Sequence, residues 1–334
     1  MNIIVPMAGM GKRMRPHSLT TPKPLIKVAG KSIVQRLLED IKKMTEEPIG
    51  QIAFIIGEFG KEVEDNLLQI ANDLGAKGSI HYQLKAEGTA HAILCAKEHL
   101  KGHVMVALAD TLFYADFNLK NAKDGTIWVK EIEDPRQFGV VELNENGLVK
   151  KFHEKPENPV SNLAIIGIYH FNDGNNLRNE LQFLIDNNLR EKGEFQLTNA
   201  LENMQKKGVE FNTEKVTEWL DCGNKDATVY TNQRLLEIHL SEATMHSSVK
   251  NLNAVIIPPC LVAANVVLKN CVIGPHVTIG ENSKIENSII RNSIIQNNVN
   301  ISNKNIADSM IGSFAELKGR NENLSIGDYS VESL

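Results

Sequence analysis

No apolar run in this 334-residue chain approaches the roughly 18–20 residues that a membrane-spanning helix needs. Cysteine is scarce. The four present (Cys95, Cys222, Cys260, Cys271) are scattered and form no CxxC pair, which argues against a disulfide framework and a zinc ribbon alike. The apolar N-terminal stretch MNIIVPMAG has no cationic segment before it, so it does not read as a secretory signal. Basic excess is missing too. Lys and Arg total 36 against 41 Asp and Glu, a net charge of −5, which is the wrong balance for a coat of duplex DNA. These absences leave a protein expected in a reducing, cytoplasmic compartment, with neither membrane nor nucleic acid as partner. What is present suffices for a fold. A hydrophobic content of 42% supports a core and excludes wholesale disorder, and the length suggests about two domains.

The chain changes character after about residue 245. Before it, apolar runs alternate with helical patterns. Ile3–Val5 reads as a short buried strand. Ser32-Ile-Val-Gln35 reads as a capping box ahead of a helix with Ile33, Val34, Leu37, Leu38 and Ile41 on one stripe. A strand over 51–56, a helix over 60–75, a strand over 79–83, a helix over 89–100 and a strand over 103–109 follow. This alternation predicts a mostly parallel sheet with helices on both faces. Asn146-Gly147 between two apolar runs marks a hairpin. A strand over 163–170, helices over 175–188 and 196–207, a strand over 215–220 and a helix over 225–240 complete a domain predicted to span 1–243.

Residues 251–334 hold 14 asparagines, no tryptophan and two aromatics, Phe314 and Tyr329. Aliphatic residues recur at Val267, Ile273, Ile279, Ile285, Ile290, Ile295, Ile301, Ile306, Ile311 and Leu317, in steps of five or six. Such a near-hexapeptide period predicts a parallel β-helix of about four coils over 244–334, each strand adding one aliphatic to a shared core. Asparagine suits its corners because it tolerates left-handed backbone angles. A polar β-sandwich is the alternative, and the spacing alone does not give the hand of the coil.

Chemistry concentrates at the N-terminus. Gly9 and Gly11 follow the first strand, but Met14 stands where a dinucleotide fingerprint needs its third glycine. Gly30-Lys31-Ser32 resembles the end of a P-loop, but Leu25 stands at the leading glycine's position. The charge pattern says more. The first acidic residue is Glu39, and Lys12, Arg13, Arg15, Lys23, Lys27 and Lys31 precede it. Glycines let the backbone approach a ligand and turn N–H groups toward an anion. Together with these cations they predict a polyphosphate site. His99 and His103 lack the glutamate of an HExxH motif and read as ordinary helix-end residues, and none of the ten histidines is expected to bind a metal.

Gly9-x-Gly11-x-Arg13-x-x-Pro16, Pro22-Lys23-Pro24-Leu25 and Gly30-Lys31 resemble the signature of sugar-1-phosphate nucleotidyltransferases. The nearest likeness is to long-type glucose-1-phosphate thymidylyltransferases, whose C-terminal hexapeptide module implies a left-handed β-helix. The resemblance continues through Gln83, Glu87-Gly88-Thr89-Ala90, Ala109-Asp110, Phe138-Gly139-Val140, Glu154-Lys155-Pro156, Ser161-Asn162 and Trp219-Leu220-Asp221-Cys222-Gly223. It departs at Ser18, Lys27, Ser32, Ala109 and Asn199, where the family more often has threonine, proline, proline, glycine and aspartate.

The resemblance implies attack of a sugar-1-phosphate on the α-phosphorus of a nucleoside triphosphate. Arg13, Lys23 and Asp110 are then the catalytic candidates. Ala8, Gly9, Gly11, Gln83, Gly88 and Thr89 would bind nucleotide, and Gly139, Glu154, Lys155 and Asn162 the sugar phosphate. Asp110 and Asp221 would hold Mg²⁺. The nucleophile is already an anion, so catalysis should rest on positioning and charge neutralisation. Two other readings stay open: an inactive regulatory or assembly subunit, and an acyltransferase built on the β-helix. The C-terminal module is expected to assemble a homo-oligomer.

Overall fold

The computed structural model describes residues 1–9, 11–115, 124–320 and 325–331. Met10 of the glycine loop lies outside them, as do Asn321 and Asn323 of the asparagine-rich tail. Two compact units emerge, one of 1–26 with 31–227, the other of 27–30 with 228–334.

The first unit is built on a nine-stranded mixed sheet. Its parallel half comprises β1 (Asn2–Pro6), β2 (Gln51–Ile56), β3 (Lys77–Tyr82) and β4 (Val104–Ala107), ordered β4-β1-β2-β3. Strands β1, β2 and β4 are nearly continuous aliphatic runs because both faces are covered, whereas the edge strand β3 has no fully buried residue. Ile4, Ala53, Ile55, Val104 and Val106 point into the core shared with helices α3 (Thr89–Leu94), α4 (Gly174–Asp186) and α5 (Leu197–Lys206). Their alternate neighbours Ile3, Val5, Ile52, Phe54 and Met105 are fully buried on the opposite face. Helix α1 (Ile33–Met44) starts where the capping box places it, with Ser32 Oγ accepting from the Gln35 N–H at 3.3 Å. Helix α2 (Lys61–Asp73) lies close on β3, since a Cβ at Gly78 would come within 2.8 Å of Leu68.

The rest of the sheet departs from a simple alternation. Strands β5 (Thr111–Tyr114), β6 (Gly125–Glu131) and β10 (Phe211–Lys215) escape the sequence pattern. The hairpin appears as β7 (Gly139–Leu143) and β8 (Val149–Glu154). Strand β9 (Leu163–Phe171) runs antiparallel to β4, β6 and β7, so it joins the parallel half to the hairpin and to β6. Strand β11 (Glu218–Asp221) leaves the main sheet and pairs with β5 in a separate two-stranded ribbon.

The second unit is a left-handed parallel β-helix with three stacked sheets of five, four and four strands. Corresponding strands begin at Lys250, Val267, Lys284, Asn300 and Glu316, so each of the four coils takes 16 or 17 residues. The inward ladder starts one residue later than the spacing suggests. Leu268, fully buried, pairs with Ile285, whereas Val267 is only half-buried. Asn253, Asn270, Asn287 and Asn303 hold one corner in the left-handed region, and the side chains of the first three link rung to rung, Asn253 Nδ2 to Asn270 Oδ1 at 3.1 Å and Asn270 Nδ2 to Asn287 Oδ1 at 3.4 Å. Helix α6 (Lys225–Ile238) enters this unit. The buried Asn232 Oδ1 accepts from the Ala29 N–H at 2.9 Å and from Thr278 Oγ1 at 2.7 Å, tying segment 27–30 and the helix to the coils.

Candidate active site

In the parallel half, the chain leaves β1 toward β2 and β3 on one side, then returns to place β4 on the other. The crevice beyond the strand ends at such a switch point is where open α/β sheets carry ligands. The loop after β1, the turn after β4 and the exit of β3 all reach it. They line a cleft of about 450 Å³ that includes Ala8, Gly9, Gly11, Arg13, Lys23, Gln83, Gly88, Thr89, Asp110 and Gly223.

Gly11 sits at φ +56°, and a Cβ there would lie 2.9 Å from the Lys23 Cβ. Both facts require glycine. The Ser18 hydroxyl, which replaces the more usual threonine, donates to the Gly11 carbonyl at 2.7 Å and holds the loop in place. Arg13 is exposed on the following turn, anchored by the buried Met14. Lys23 leads a tight turn between Pro22 and Pro24. Its side chain is only 9% exposed, and its ammonium sits 2.9 Å from Asp110 Oδ2.

The β5–β11 ribbon explains how residues 110 and 221 meet. Thr111 is the register partner of Asp221, and the Cys222 N–H donates to the Asp110 carbonyl at 3.3 Å. Burial pushes the Asp221 carboxyl above its usual range. Lys23 pulls it back, Asp110 pushes it up again, and the Gly223 backbone and Arg13 pull it down. A Cβ at Gly223 would lie 2.5 Å from the Asp221 carboxylate, so glycine makes room for it. Half-buried, oxygen-only donors that repel one another and face a cationic loop fit a hard divalent cation such as Mg²⁺.

Gln83 directly follows β3, with its amide committed. Its Nε2 donates to the Gly88 carbonyl at 3.0 Å and lies 3.1 Å from His91 Nδ1. Gly88 is at φ +104°, and a Cβ there would strike the Phe195 backbone at 2.5 Å. Thr89 Oγ1 accepts from the Leu197 N–H at 3.1 Å, so this hydroxyl also fixes the segment.

A second cleft, of about 520 Å³, contains Glu154, Lys155, Lys192, Thr198 and Asn199. Gly139 is the register partner of Glu154. Glu154 accepts from the Thr198 hydroxyl at 3.3 Å, and its other oxygen lies 3.6 Å from the half-exposed Lys155 ammonium. The Asn199 side-chain oxygen is buried there with no hydrogen-bond partner. Asn162 is not among the residues lining either cleft; it is exposed and donates to Glu131 at 2.9 Å. Segment 191–199 contributes to both clefts, Glu194 to the first and Lys192 to the second. The sequence reading missed Lys192, whose ammonium donates to the Glu154 and Lys155 carbonyls at 3.1 and 2.8 Å. The turn signal of Gly193 beside it was the only available hint.

A sheet with a glycine loop at its switch point and two carboxylates beside it defines an open α/β protein with its cleft at the strand ends. The chain belongs to the nucleotidyl transferase family, whose model matches residues 2–238. It is 30% identical over 243 residues to the bifunctional protein GlmU of Methanocaldococcus jannaschii, covering 71% of this chain and 55% of that protein. It is also 30% identical over 243 residues to the low-salt glycan biosynthesis nucleotidyltransferase Agl11 of Haloferax volcanii, covering 69% and 64%. The chain thus spans a little over half to just under two thirds of these curated relatives. A solved chain from Bacillus anthracis, assigned as a glucose-1-phosphate thymidylyltransferase, shares the fold with a TM-score of 0.59 at 23% identity, over 69% of this chain and 93% of that one. No helix among the described residues is long and apolar enough to cross a membrane.

Proposed function

We propose that this chain transfers a nucleotidyl group from a nucleoside triphosphate, dTTP or UTP, to a sugar-1-phosphate, glucose-1-phosphate foremost, in the cytoplasm. The observation that carries the proposal is Lys23, buried beneath the glycine loop and paired with Asp110 beside Asp221. A sugar-phosphate oxygen attacks the α-phosphorus. The bond from that phosphorus to the bridging oxygen breaks, and pyrophosphate leaves. No proton has to move, so the residues supply charge and alignment. Arg13 holds the β- and γ-phosphates with its planar fork. The N–H groups of the glycine loop lie against the phosphate chain. Lys23 neutralises charge at the α-phosphate. Asp110 and Asp221 would hold Mg²⁺, which when bound offsets phosphate charge. In the second cleft, Lys155 takes the incoming phosphate, while Glu154 and the unpaired Asn199 oxygen accept from sugar hydroxyls. Asn162 is assigned a supporting role at that sugar-phosphate site.

The base preference rests on Gln83. Both of its amide donors face acceptors within the chain, because the Gly88 carbonyl can only accept. Its own carbonyl remains for the ligand, and it suits the N3–H of uracil or thymine. Cytosine presents an acceptor at that position. Initial rates of pyrophosphate release for four triphosphates against several sugar-1-phosphates should therefore favour the dTTP and UTP rows over the CTP row. Absence of release with every sugar-1-phosphate would falsify the reaction class.

The two clefts should also separate by mutation. Arg13→Ala is expected to raise the triphosphate KM, and Lys155→Ala the sugar-phosphate KM, each roughly tenfold or more for a lost charge-assisted contact. If Lys155→Ala raised only the triphosphate KM, the assignment of the second cleft would be wrong.

A further inference from the structure

A different set of ligating groups lies at the outer edge of the parallel half. Ser79 and His81 are two apart on the edge strand β3, so they share one face of it. Glu98 and His99 come from the turn that follows α3. One ring nitrogen of each histidine and a Glu98 oxygen all lie within 4.8 Å of one another. Glu98 Oε1 is 3.7 Å from His81 Nδ1 and 3.9 Å from His99 Nε2. The two rings meet edge to face, with centroids 5.1 Å apart.

We propose that His81, Glu98 and His99 form a binding site for a divalent transition-metal ion of the Zn²⁺ class, separate from the paired aspartates. Two imidazoles and a carboxylate are a donor set such ions take, with water completing a tetrahedron. At bond lengths of about 2.0–2.1 Å, ligand atoms of a tetrahedral ion sit about 3.3 Å apart. The Glu98 oxygen, at 3.7 and 3.9 Å, needs to approach each ring nitrogen by only about half an ångström. The carboxylate is free to supply that movement, since Glu98 is 59% exposed while the two imidazoles are 11% and 18% exposed.

The surroundings hold these ligands in place, as the outer shell of a metal site must. Ser79 Oγ lies 3.0 Å from His81 Nε2, the ring nitrogen that does not face Glu98, and Gln51 Nε2 donates to it at 2.8 Å; its 3.2 Å contact with His99 Nε2 is one that a bound ion would replace. The Asn2 amide donates to the His99 carbonyl at 2.9 Å, fixing the turn to β1. Burial lowers the pKa of both histidines, against an opposing pull from Glu98. The sequence gives no sign of the site, because residues 81 and 99 meet only when the turn after α3 packs against the edge strand. A bound ion would clip that turn to β3, on either side of the segment from Gln83 to Thr89.

The donor chemistry separates this site from the aspartate pair, because nitrogen ligands suit Zn²⁺ and not Mg²⁺. Equilibrium dialysis of the full chain in saturating Mg²⁺ should show one Zn²⁺ per chain. The stoichiometry should persist in Asp110→Asn/Asp221→Asn. In His81→Gln/His99→Gln the affinity should fall by more than about a hundredfold, beyond the roughly 10–100-fold loss typical of an outer-shell change, while the Mg²⁺-dependent rate is kept. Glu98→Gln, at an exposed position, should weaken binding severalfold and decides the matter if the double variant folds poorly. Substitution by Co²⁺ should give the intense visible band of a tetrahedral site. Unchanged Zn²⁺ affinity in the histidine or Glu98 variants, loss of Zn²⁺ in the aspartate variant, or no uptake in saturating Mg²⁺ would each overturn the proposal.

Discussion

Asp221→Asn should reduce turnover by roughly a hundredfold or more, the scale expected when a group that offsets transition-state charge is removed. The fold should survive. Asparagine has the same shape, and the space for it is set by Gly223 and the β5–β11 ribbon rather than by charge. What changes is electrostatic. Asp221 is a half-buried carboxylate whose charge Lys23 and Arg13 favour, against burial and Asp110. Without its charge, one proposed ligand of the cation is lost and Lys23 has only Asp110 to oppose it. The defect should therefore be deepest at limiting Mg²⁺ and partly relieved as Mg²⁺ is raised. Asp110→Asn should be at least as severe, because it also removes the 2.9 Å ion pair that fixes the Lys23 ammonium. A Mg²⁺ titration of the rate for both variants, alongside circular dichroism, checks this. Near-normal turnover of Asp221→Asn at limiting Mg²⁺ would mean that the carboxylate is structural.

Why the aspartates meet is a question that residue spacing cannot answer. Each ends or follows a strand, which the sequence shows. The ribbon that brings them together is made of Thr111–Tyr114 and Glu218–Asp221, and its pairing is a long-range contact with no local signature. Strand 51–56 and the capped helix after Ser32 were legible because burial on both faces and an N-cap leave strong local patterns. Strand 125–131 is fully buried through Val129, yet its short apolar core, flanked by charged residues, shows no clean period. Strand 211–215 buries only Phe211, so polarity hid it. In the β-helix the period was readable because every coil repeats the same inward step. The first rung slipped by one residue because Val266, Val267 and Leu268 are adjacent aliphatics, and only packing decides among them. At the candidate site, glycines and cations were visible as types. The commitment of the Gln83 amide and the support from Lys192 were not, since both depend on backbone carbonyls that have no letter in the sequence.

Truncation after Ala243 should leave measurable activity and a clearly less stable protein. Arg13, Lys23, Asp110, Lys155 and Asp221 all belong to the first unit, so the proposed chemistry does not need the coils. Stability is a different matter, because the second unit includes residues 27–30 as well as 228–334. Removing the coils takes away Gln296, whose amide donates to the Lys27 carbonyl at 3.0 Å, and Thr278, which donates to the buried Asn232. It also removes Leu261, which packs against Gly30 so closely that a Cβ there would lie 2.9 Å from it. Two hydrogen bonds at about 1 kcal/mol each, with the lost packing beside them, should lower Tm by about 5 °C or more for a chain of this size. The coils are also where we place the homo-oligomer contact. A short β-helix has open ends and exposed edges that must be capped or paired, and Val255 and Ile289 are exposed aliphatics of one of its sheets. Light scattering, thermal melting and a rate assay on one preparation separate these effects. A truncated chain with full-length Tm and oligomer size but no activity would show that the coils complete the active site instead of holding the enzyme together.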